Sequence, residues 1–480
     1  MLATWIEAAS ATHPAAPALI AGGRTVGYAD LAAEIERDAR GLLAQGFAPG
    51  ATLAALSLSS LQLARLAWSV SRLGGTLLPL NPAWPSSRAN SLLDLAEADG
   101  VVVDQDAEAP SSLRRFRLSG PVGESSPLPR LQPAGRKIAV VIATSGSSGE
   151  PKGVMLSNAN LEAAVLAARG RIPLAPGDVW LDCLPLYHIG GLSILYRCAQ
   201  AGAAVLLEEG FDLGRVSEAM ARHGVTHVSL VPAMLARLLD LGPPPRSLKY
   251  ALIGGGPLSA ALARRAIEAG WPLRPSYGMS EAASQVATLG VPLDQWREGM
   301  AGPPLHGLEV QIVDENGGPC SGTGRIRLRG PMVMAGYARP GREPGLGLQD
   351  GWFLSADLGC LDHAGNLVIQ GRADDMLVSG GLNVHPAEAE ALLLACPGVR
   401  DAALTALPDE VWGDRLAALV AGDAEEGAVF EWCRAALPAY LRPRLVVMVP
   451  ELPRGALGKL ERWRLPALVR ASIPISPTGS

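Results

Sequence analysis

The stretch Ala143–Gly153, Ala-Thr-Ser-Gly-Ser-Ser-Gly-Glu-Pro-Lys-Gly, decides how the rest of the chain is interpreted. The apolar, β-branched run Lys137–Ile142 before it predicts a buried strand. Ser157 and Asn158 after it predict the N-cap of a helix that runs to about Ala168. One face of that helix should carry the apolar residues Leu161, Val165 and Leu166. We therefore expect a strand, a loop rich in hydroxyl groups and glycine, and then a helix.

A loop of this composition can present several backbone N–H groups and hydroxyls to one anion, because glycine lets the backbone approach closely. Lys152 adds a mobile positive charge at its end, so a polyphosphate is the expected ligand. Clusters of Ser, Gly and Pro are usually plain loops, but the order of residues and the lysine favour the anion site. The Walker A spacing is absent, which excludes the kinase and P-loop templates.

Length and composition predict a protein of two or more globular domains. The chain has 480 residues, of which 48% are hydrophobic and 18% charged. The net charge of −5 gives no electrostatic reason for nucleic-acid binding. The cysteines are scattered without a C-x-x-C pair, which suits reduced thiols in the cytoplasm better than disulfides or zinc. We expect no signal peptide and no membrane span.

Alternating helical and strand patterns predict a layered α/β architecture for most of the chain. From about residue 301 to 371, short strands and Gly/Asp turns indicate a small β-rich subdomain. The segment 105–136, rich in Pro, Ser and Arg, is expected to be a surface excursion. A compact α+β pattern follows Gly371–Asp375. We expect a large N-terminal α/β domain at 1–372, containing that subdomain, and a small mobile α+β C-terminal domain at 373–480.

With its lysine, the Ala143–Gly153 loop resembles the phosphate loop of the acyl-adenylate-forming superfamily, which includes acyl-CoA synthetases, peptide-synthetase adenylation domains and luciferases. The other motifs of that superfamily occur in order over about residues 137–460. The resemblance implies ATP, Mg²⁺ and coenzyme A as co-substrates and a small carboxylic acid as partner; a homodimer is compatible with it. The phosphate-binding positions it implies are Thr144, Ser145, Gly146, Ser147, Ser148, Gly149 and Lys152.

Two further motifs match the nucleotide and metal positions of the superfamily. Gly254–Pro257 resembles the adenine-binding loop, which implies Gly255, Gly256 and Pro257 as contacts. In Ser276–Glu281, a tyrosine can stack on adenine, a serine hydroxyl can bond the α-phosphate and a glutamate can hold Mg²⁺. The implied residues are Tyr277, Gly278, Met279, Ser280 and Glu281. The superfamily usually has threonine where Ser148 and Ser280 stand, but the hydroxyl is kept.

The resemblance also assigns positions around the predicted domain boundary. Asp357 matches the aspartate that binds both ribose hydroxyls, Arg372 the arginine that contacts the ribose, and Asp374 the hinge about which the C-terminal domain rotates. Gly380 and Gly381 match the loop that opens a passage for the pantetheine thiol. Lys459 matches the mobile catalytic lysine, although a lysine near a C-terminus is otherwise usually solvated.

The acid site is expected around His188, which matches an acyl-pocket position of the superfamily; a packed histidine is the plainer interpretation. Within the superfamily the sequence most resembles the o-succinylbenzoate–CoA ligases of menaquinone synthesis, chiefly in Pro185–Arg197 and Tyr277–Gln285. Ala282 and Ala283 would leave room for a ring. Arg197 could meet a second carboxylate or could be a solvated helix arginine.

The sequence thus predicts an AMP-forming acid–CoA ligase that makes an acyl adenylate and then a thioester, with o-succinylbenzoate as the expected acid. Another aromatic or fatty acid stays open, as does a carrier protein in place of CoA. A nucleotide-binding protein without ligase activity is disfavoured, since the expected functional residues Glu281, Asp357, Arg372 and Lys459 are all present.

Overall fold

The computed structural model describes residues 2–104, 113–118, 128, 135–145, 151–290, 293–379, 382–384, 386–409, 413–455, 458 and 460–472. Its α-helices, numbered α1 to α12 in chain order, are Leu2–Thr12, Tyr28–Ala44, Ser60–Arg72, Ser86–Leu95, Asn158–Arg169, Ile189–Ala201, Leu213–Arg222, Pro232–Leu239, Ala260–Glu268, Pro386–Leu394, Glu426–Ala436 and Leu465–Ser472.

The strands of the described chain form four sheets. Numbered β1 to β26 in chain order, they are Pro17–Ala21, Arg24–Gly27, Thr52–Leu56, Thr76–Pro79, Gly100–Val103, Arg114–Phe116, Ile138–Ser145, Pro151–Ser157, Val179–Asp182, Ala204–Leu207, His227–Leu230, Tyr250–Ile253, Leu273–Met279, Ser284–Thr288, Met300–Gly302, Glu309–Val313, Gly324–Arg329, Gly336–Tyr337, Leu348–Gln349, Trp352–Leu361, Leu367–Arg372, Leu377–Ser379, Leu382–Val384, Val399–Asp409, Gly413–Gly422 and Leu445–Met448.

Two large, mostly parallel sheets form the first part of the chain, as expected for a layered α/β fold. The first has the order β14-β13-β12-β11-β9-β10-β1-β2, and the second has β18-β8-β7-β4-β3-β5-β6. Neighbours β9, β10, β11, β12 and β13 run parallel. Antiparallel β14 closes one edge of the first sheet and antiparallel β2 the other.

Two smaller sheets follow, and both confirm the predicted change of pattern. The strands from β15 to β21, apart from β18, form an antiparallel sheet, which is the expected β-rich subdomain. The last sheet contains β22 to β26 and packs with α10 to α12, giving the expected small α+β unit. The chain therefore has the predicted fold class.

Hydrophobic packing places helices on both faces of the first sheet. Trp180 of β9 packs with α6 in the largest apolar cluster. Leu181, the next residue, points to the other face and packs with α7, α8 and α9. Alternate residues of a strand face opposite sides, so a strand between two helical layers must be apolar throughout. This explains the short continuous apolar runs of the sequence.

Three local expectations need correction. The polar loop does not run to Gly153: Pro151–Ser157 is strand β8 and pairs antiparallel with β7, because Val154, Met155 and Leu156 are apolar and buried there. The predicted helix is α5, begun by a capping box at Ser157, but Leu166 is 50% exposed and lies off the buried face. Within the expected surface excursion, β6 extends the second sheet and buries Phe116.

None of the described helices combines the length and the hydropathy needed to span a membrane.

His227 of β11 is fully buried between the rings of Trp180 and Tyr250. Burial lowers the pKa of its imidazole from 6.5 to about 4. The folded protein therefore holds His227 neutral where the unfolded chain binds a proton. Folding stability from this residue is fully present above pH 6.5 and falls as the pH drops towards 4.

We expect His227→Phe, which keeps a ring but cannot titrate, to weaken the acid sensitivity of folding. The wild type should lose about 2 kcal/mol of unfolding free energy between pH 7 and pH 5 from this one group, and the variant should not. Urea unfolding of both proteins at the two pH values measures the difference, with each protein's own pH 7 value as its reference. Equal losses in both proteins would contradict a neutral, buried His227.

Candidate active site

The predicted site residues of the first sheet lie at one edge, beyond the carboxyl ends of parallel strands. His188 follows β9, Gly255 follows β12 and Ser280 follows β13; Val231, which no sequence motif indicated, follows β11. Carboxyl ends of neighbouring parallel strands meet at the same edge, which is where open α/β sheets bind their ligands. The topology thus brings together motifs that are up to about ninety residues apart in sequence.

Tyr277, Asp357 and Arg372 form one hydrogen-bonded corner beside this edge. The Tyr277 hydroxyl donates to Asp357 Oδ2, and Arg372 Nη1 donates to Asp357 Oδ1 at 3.2 Å. Arg372 also donates from Nε and Nη2 to the two carboxylate oxygens of Asp374, at 2.8 and 2.6 Å. The Asp374 hydrogen bonds raise the pKa of Arg372. Burial, followed by the Asp357 charge, raises the pKa of Tyr277, so its hydroxyl stays protonated as a donor.

Tyr337 of β18 is a site residue that the sequence motifs did not reveal. Its hydroxyl donates to Glu281 Oε1 at 2.8 Å, and Lys152 Nζ lies 5.2 Å from the centre of its ring. Burial, and then the charge of Glu281, raise the pKa of the phenol, which stays a donor. One tyrosine therefore contacts both the expected metal ligand and the expected phosphate lysine. The apolar residues before Tyr337 do not reveal these contacts, because β18 joins the second sheet, away from the strands that are its neighbours in sequence.

Part of the predicted phosphate loop lies outside the described residues, namely Gly146, Ser147, Ser148 and Gly149. The side chain of Ser145 is also outside them. Thr144 and Lys152 are paired across the β7–β8 hairpin, and Thr144 Oγ1 donates to the Lys152 carbonyl at 3.4 Å. Lys152 therefore lies near the start of β8, and its side chain extends towards Tyr337.

The turn after β13 is held in an unusual backbone conformation. A Cβ on Gly278 would come within 1.9 Å of the Ser284 carbonyl oxygen, so only glycine fits there. Ala283 and Ser284 have φ of 51° and 109°, in the region that normally favours glycine. Met279 pairs with Ser284 across this β13–β14 hairpin. This backbone conformation places Glu281 at the sheet edge and directs Ser284 towards α6.

His188 is the N-cap residue of α6, and its ring tilts against Tyr187 with ring centres 4.8 Å apart. Burial lowers the pKa of His188 to about 4, so the imidazole is neutral near pH 7. A Cβ on Gly191 would meet the Leu184 and Pro185 carbonyl oxygens within 3.0 Å, which is why the helix can pack directly on the preceding turn. His188 can thus line an acid pocket without adding charge.

Arg197 lies on α6 and is only 5% exposed, so its interpretation as a solvated arginine is wrong. Its Nη2 donates to Ser284 Oγ at 3.2 Å, and Ser193 Oγ lies 3.4 Å from the same hydroxyl. Its Nε is buried and has no hydrogen-bond partner among the described residues. Burial lowers the pKa of Arg197 to about 10, which still leaves it charged at neutral pH. Ala282 and Ala283 are buried beside this turn.

The adenine-loop residues and the end of the C-terminal unit meet at Val231. A Cβ on Gly255 would lie 3.3 Å from Val231 Cγ1, and one on Gly458 would lie 3.2 Å from Val231 Cγ2. Gly256 lies beside Pro232, and Pro257 is exposed. Lys459, Gly380 and Gly381 are outside the described residues. Gly458 itself lies beside Val231, at the same sheet edge as the predicted adenine loop.

Comparison with known proteins agrees with this geometry. The model of the AMP-binding enzyme family matches residues 6–338, and the AMP-binding enzyme C-terminal domain matches residues 388–459. The chain belongs to the AMP-binding enzyme family. Within this family it is 33% identical over 435 residues to a 2-succinylbenzoate–CoA ligase of Bacillus thuringiensis subsp. konkukian, covering 88% of this chain and 89% of the relative.

Solved structures of a second AMP-binding enzyme share the fold along nearly the whole chain. The o-succinylbenzoate CoA synthetase (MenE) of Bacillus subtilis, in complex with the acyl-adenylate intermediate OSB-AMP, superimposes with a TM-score of 0.88 at 30% identity, covering 96% of this chain and 97% of that one. The same enzyme in complex with ATP and magnesium ion also gives a TM-score of 0.88 at 30% identity, covering 96% and 98%.

We expect Asp357→Asn to weaken AMP binding by roughly 10- to 100-fold, because it removes a charged acceptor from Tyr277 and Arg372, worth about 1.5–3 kcal/mol. Titration calorimetry with AMP measures the change. Asp362→Asn is the matched control: Asp362 caps the turn at the other end of the same hairpin and pairs with Arg297. Equal loss of affinity in both variants would show that the hairpin, and not the Asp357 carboxylate, matters for AMP.

Proposed function

We propose that this chain is an ATP-dependent, AMP-forming ligase that converts o-succinylbenzoate to its CoA thioester through an acyl adenylate. The observation that carries the choice of acid is the buried charge of Arg197. Among the described residues, this guanidinium has no carboxylate partner: its Nη2 donates to Ser284, and its Nε has no hydrogen-bond partner. A buried cation without a counter-ion is costly, so the pocket favours an anionic group from the substrate.

A dicarboxylic acid supplies what this pocket lacks. One carboxylate of o-succinylbenzoate is activated, and the other remains an anion that can pair with Arg197. Ser193 and Ser284 add hydroxyls beside the guanidinium, and neutral His188 lies at the start of the same helix. The relatives named for 2-succinylbenzoate support the same acid. A fatty acid or a simple benzoate would leave the Arg197 charge uncompensated.

The first half-reaction joins two anions, so positioning and positive charge lower its barrier. The substrate carboxylate attacks the α-phosphate of ATP, a bond from carboxylate oxygen to phosphorus forms, and pyrophosphate leaves. Residues Thr144 to Gly149 with Lys152 hold the β- and γ-phosphates. Ser280 bonds the α-phosphate, Tyr277 stacks on adenine, and Asp357 and Arg372 hold the ribose. Lys459 balances charge at the reacting carboxylate and α-phosphate.

The residues fit a magnesium ion. Mg²⁺ is usually bound by one or two carboxylates together with substrate phosphates and water. Glu281 offers one carboxylate at the sheet edge, and Tyr337 fixes its orientation through Oε1. When bound there, Mg²⁺ supplies positive charge to the phosphates. Glu281 would hold the ion, and Tyr337 would keep the carboxylate facing the phosphate-loop lysine.

The second half-reaction needs a different arrangement of the C-terminal unit. The CoA thiol attacks the adenylate carbonyl, the thioester forms and AMP leaves. For this, Lys459 leaves the site and Gly380–Gly381 open the pantetheine passage, by rotation of residues 373–480 about Asp374 against 1–372. The apolar clusters support this division, because each contains residues from only one side of the boundary between 372 and 373. Ile369 and Leu377 are the clustered residues nearest to that boundary.

Two finer expectations belong to the same proposal. All six cysteines are free thiols, which supports a cytoplasmic location. A homodimer stays a prediction.

A carrier protein in place of CoA would use the same adenylation residues and differ at the surface of the C-terminal unit, so the acceptor must be tested directly.

Pyrophosphate release across a panel of acids, each with and without CoA or a carrier protein, tests the function. We expect o-succinylbenzoate to be preferred over benzoates and medium-chain fatty acids, and its CoA thioester to form. Arg197→Gln should lower kcat/KM for o-succinylbenzoate by roughly 10- to 100-fold, the value of a hydrogen-bonded charge pair. Arg237→Gln, which removes an arginine from the ring of Phe211 on the other side of the sheet, is the matched control.

Activity spread evenly over simple monoacids would overturn the choice of substrate and leave the ligase class intact. Binding of ATP without pyrophosphate release from any acid would overturn the ligase itself. Retained AMP binding by Arg197→Gln shows that a loss of activity does not come from unfolding.

Tyr337→Phe should raise the Mg²⁺ concentration that half-saturates pyrophosphate release and lower kcat about 10-fold, because Glu281 loses the donor that orients it, a contribution of about 1.4 kcal/mol. Tyr440→Phe breaks another tyrosine–glutamate bond, from the Tyr440 hydroxyl to Glu388, on the surface of the C-terminal unit and is the control. An unchanged Mg²⁺ response in Tyr337→Phe would remove this tyrosine from the site.

A further inference from the structure

Five side chains form one continuous stack across the α6 face of the first sheet. The Arg197 guanidinium lies 5.6 Å from the centre of the Trp180 ring, and Trp180 stacks on His227 with centres 5.2 Å apart and planes at 29°. His227 stacks on Tyr250 at 4.9 Å and 19°, and Arg274 lies 4.8 Å from the Tyr250 ring. Three rings thus connect two arginines, the first of which lies in the proposed acid pocket.

The sheet register produces this stack. Trp180 of β9 is paired with His227 of β11, and His227 is paired with Tyr250 of β12. Paired residues of parallel strands point to the same face and lie about 4.8 Å apart, which is close to the spacing of stacked rings. The stack therefore follows the hydrogen-bonding direction of the sheet and is as rigid as the strands that carry it.

Hydrogen bonds fix the rings in their planes. Trp180 Nε1 donates to Ser229 Oγ at 3.2 Å. His227 Nε2 lies 3.0 Å from the Pro173 carbonyl oxygen, an acceptor only, so Nε2 carries the proton. Nδ1 of the same ring lies 2.7 Å from Thr226 Oγ1, which can donate to it. Neither Trp180 nor His227 can rotate without breaking a buried hydrogen bond.

The stack carries charge only at its ends. Burial holds His227 neutral near pH 7, and the nearby Asp178 is paired with Lys249 at 2.7 Å. Among the described residues, the polar and ring contacts of the Arg197 guanidinium are the ring face of Trp180 and the hydroxyl of Ser284. Because Arg197 has no carboxylate partner among the described residues, the orientation of its guanidinium depends on the Trp180 ring. That ring in turn stacks on His227.

We propose that the Trp180–His227–Tyr250 stack positions Arg197 to receive the second carboxylate of the substrate, and thereby sets the preference for a dicarboxylic over a monocarboxylic acid. This inference rests on the proposed function of the acid pocket. Trp180 and His227 are positioning residues: they act through Arg197 and do not touch the acid. Binding of the other carboxylate, the one that is activated, does not depend on Trp180 or His227.

The test compares two acids in one set of variants. The first acid is o-succinylbenzoate. The second is a single-carboxylate analogue, either 4-oxo-4-phenylbutanoate or 2-butyrylbenzoate. The analogue used is the one that the wild type turns over or binds as an inhibitor. Selectivity is the kcat/KM for o-succinylbenzoate divided by that for the monoacid. For a monoacid that only inhibits, it is the inhibition constant of the monoacid divided by the KM for o-succinylbenzoate. Trp180→Leu and His227→Leu remove a ring from the stack. Trp180→Phe and His227→Phe keep one.

We expect both leucine variants to lower the selectivity for the diacid at least 10-fold, with values for the monoacid within about threefold of wild type. The phenylalanine variants should keep the selectivity within about threefold. Trp271→Leu, in the apolar cluster on the other face of the sheet, is the matched control for loss of a buried indole, and it should leave the ratio unchanged even where it lowers the melting temperature. AMP binding reports folding in each variant.

Equal losses for both acids, or an unchanged ratio in the leucine variants, would overturn the inference and reduce the stack to core packing. If a leucine variant does not bind AMP, His227→Gln replaces it, since glutamine removes the ring but can still donate to the Pro173 carbonyl. A wild type without preference for the diacid would instead overturn the proposed function. A preference that Arg197→Gln abolishes and both leucine variants keep would overturn the stack alone.

Discussion

The parallel alignment of β9, β11, β12 and β13 is the constraint on which the rest of the molecule depends. Their carboxyl ends form one edge, and the predicted nucleotide-binding motifs of the first sheet each follow one of these strands. Hydrogen bonding between parallel strands fixes their register, so the turns that follow are held at fixed positions. The loops can then be polar and rich in glycine without losing their place.

Two arginines near this edge are compensated in different ways. Arg372, which is half-buried, is neutralised by the carboxylates of Asp357 and Asp374, so this predicted ribose corner has its charges paired within the chain itself. Arg197 has a hydroxyl and a ring face instead of a carboxylate. The first arrangement builds a preorganised surface, and the second leaves a charge for the ligand to satisfy. The contrast agrees with the proposal that one site holds the nucleotide and the other selects the acid.

The sequence was sufficient for the fold class and for the enzyme family, because short apolar runs and local motifs carry that information; the ribose contacts of Asp357 and Arg372 stay a prediction. It was insufficient where the answer depended on distant strands. Tyr337 reaches Glu281 only because β18 adds to the edge of the second sheet, and Leu166 is half exposed because it lies off the face of α5 that the described residues bury. The β8 strand was hidden because Pro151 and Lys152 continue the polar composition of the loop before them.

By itself, the sequence determined the order of the motifs and the chemistry that each can perform: a hydroxyl- and glycine-rich loop with Lys152, a carboxylate at Glu281 and one at Asp357. These properties are local, since they depend on side-chain type and on spacing within a few residues. Only the tertiary structure decided that Arg197 is buried with no carboxylate partner among the described residues and that Trp180, His227 and Tyr250 stack behind it. Register between strands some twenty to fifty residues apart, and the helix packed over them, set those contacts, and no local pattern encodes them.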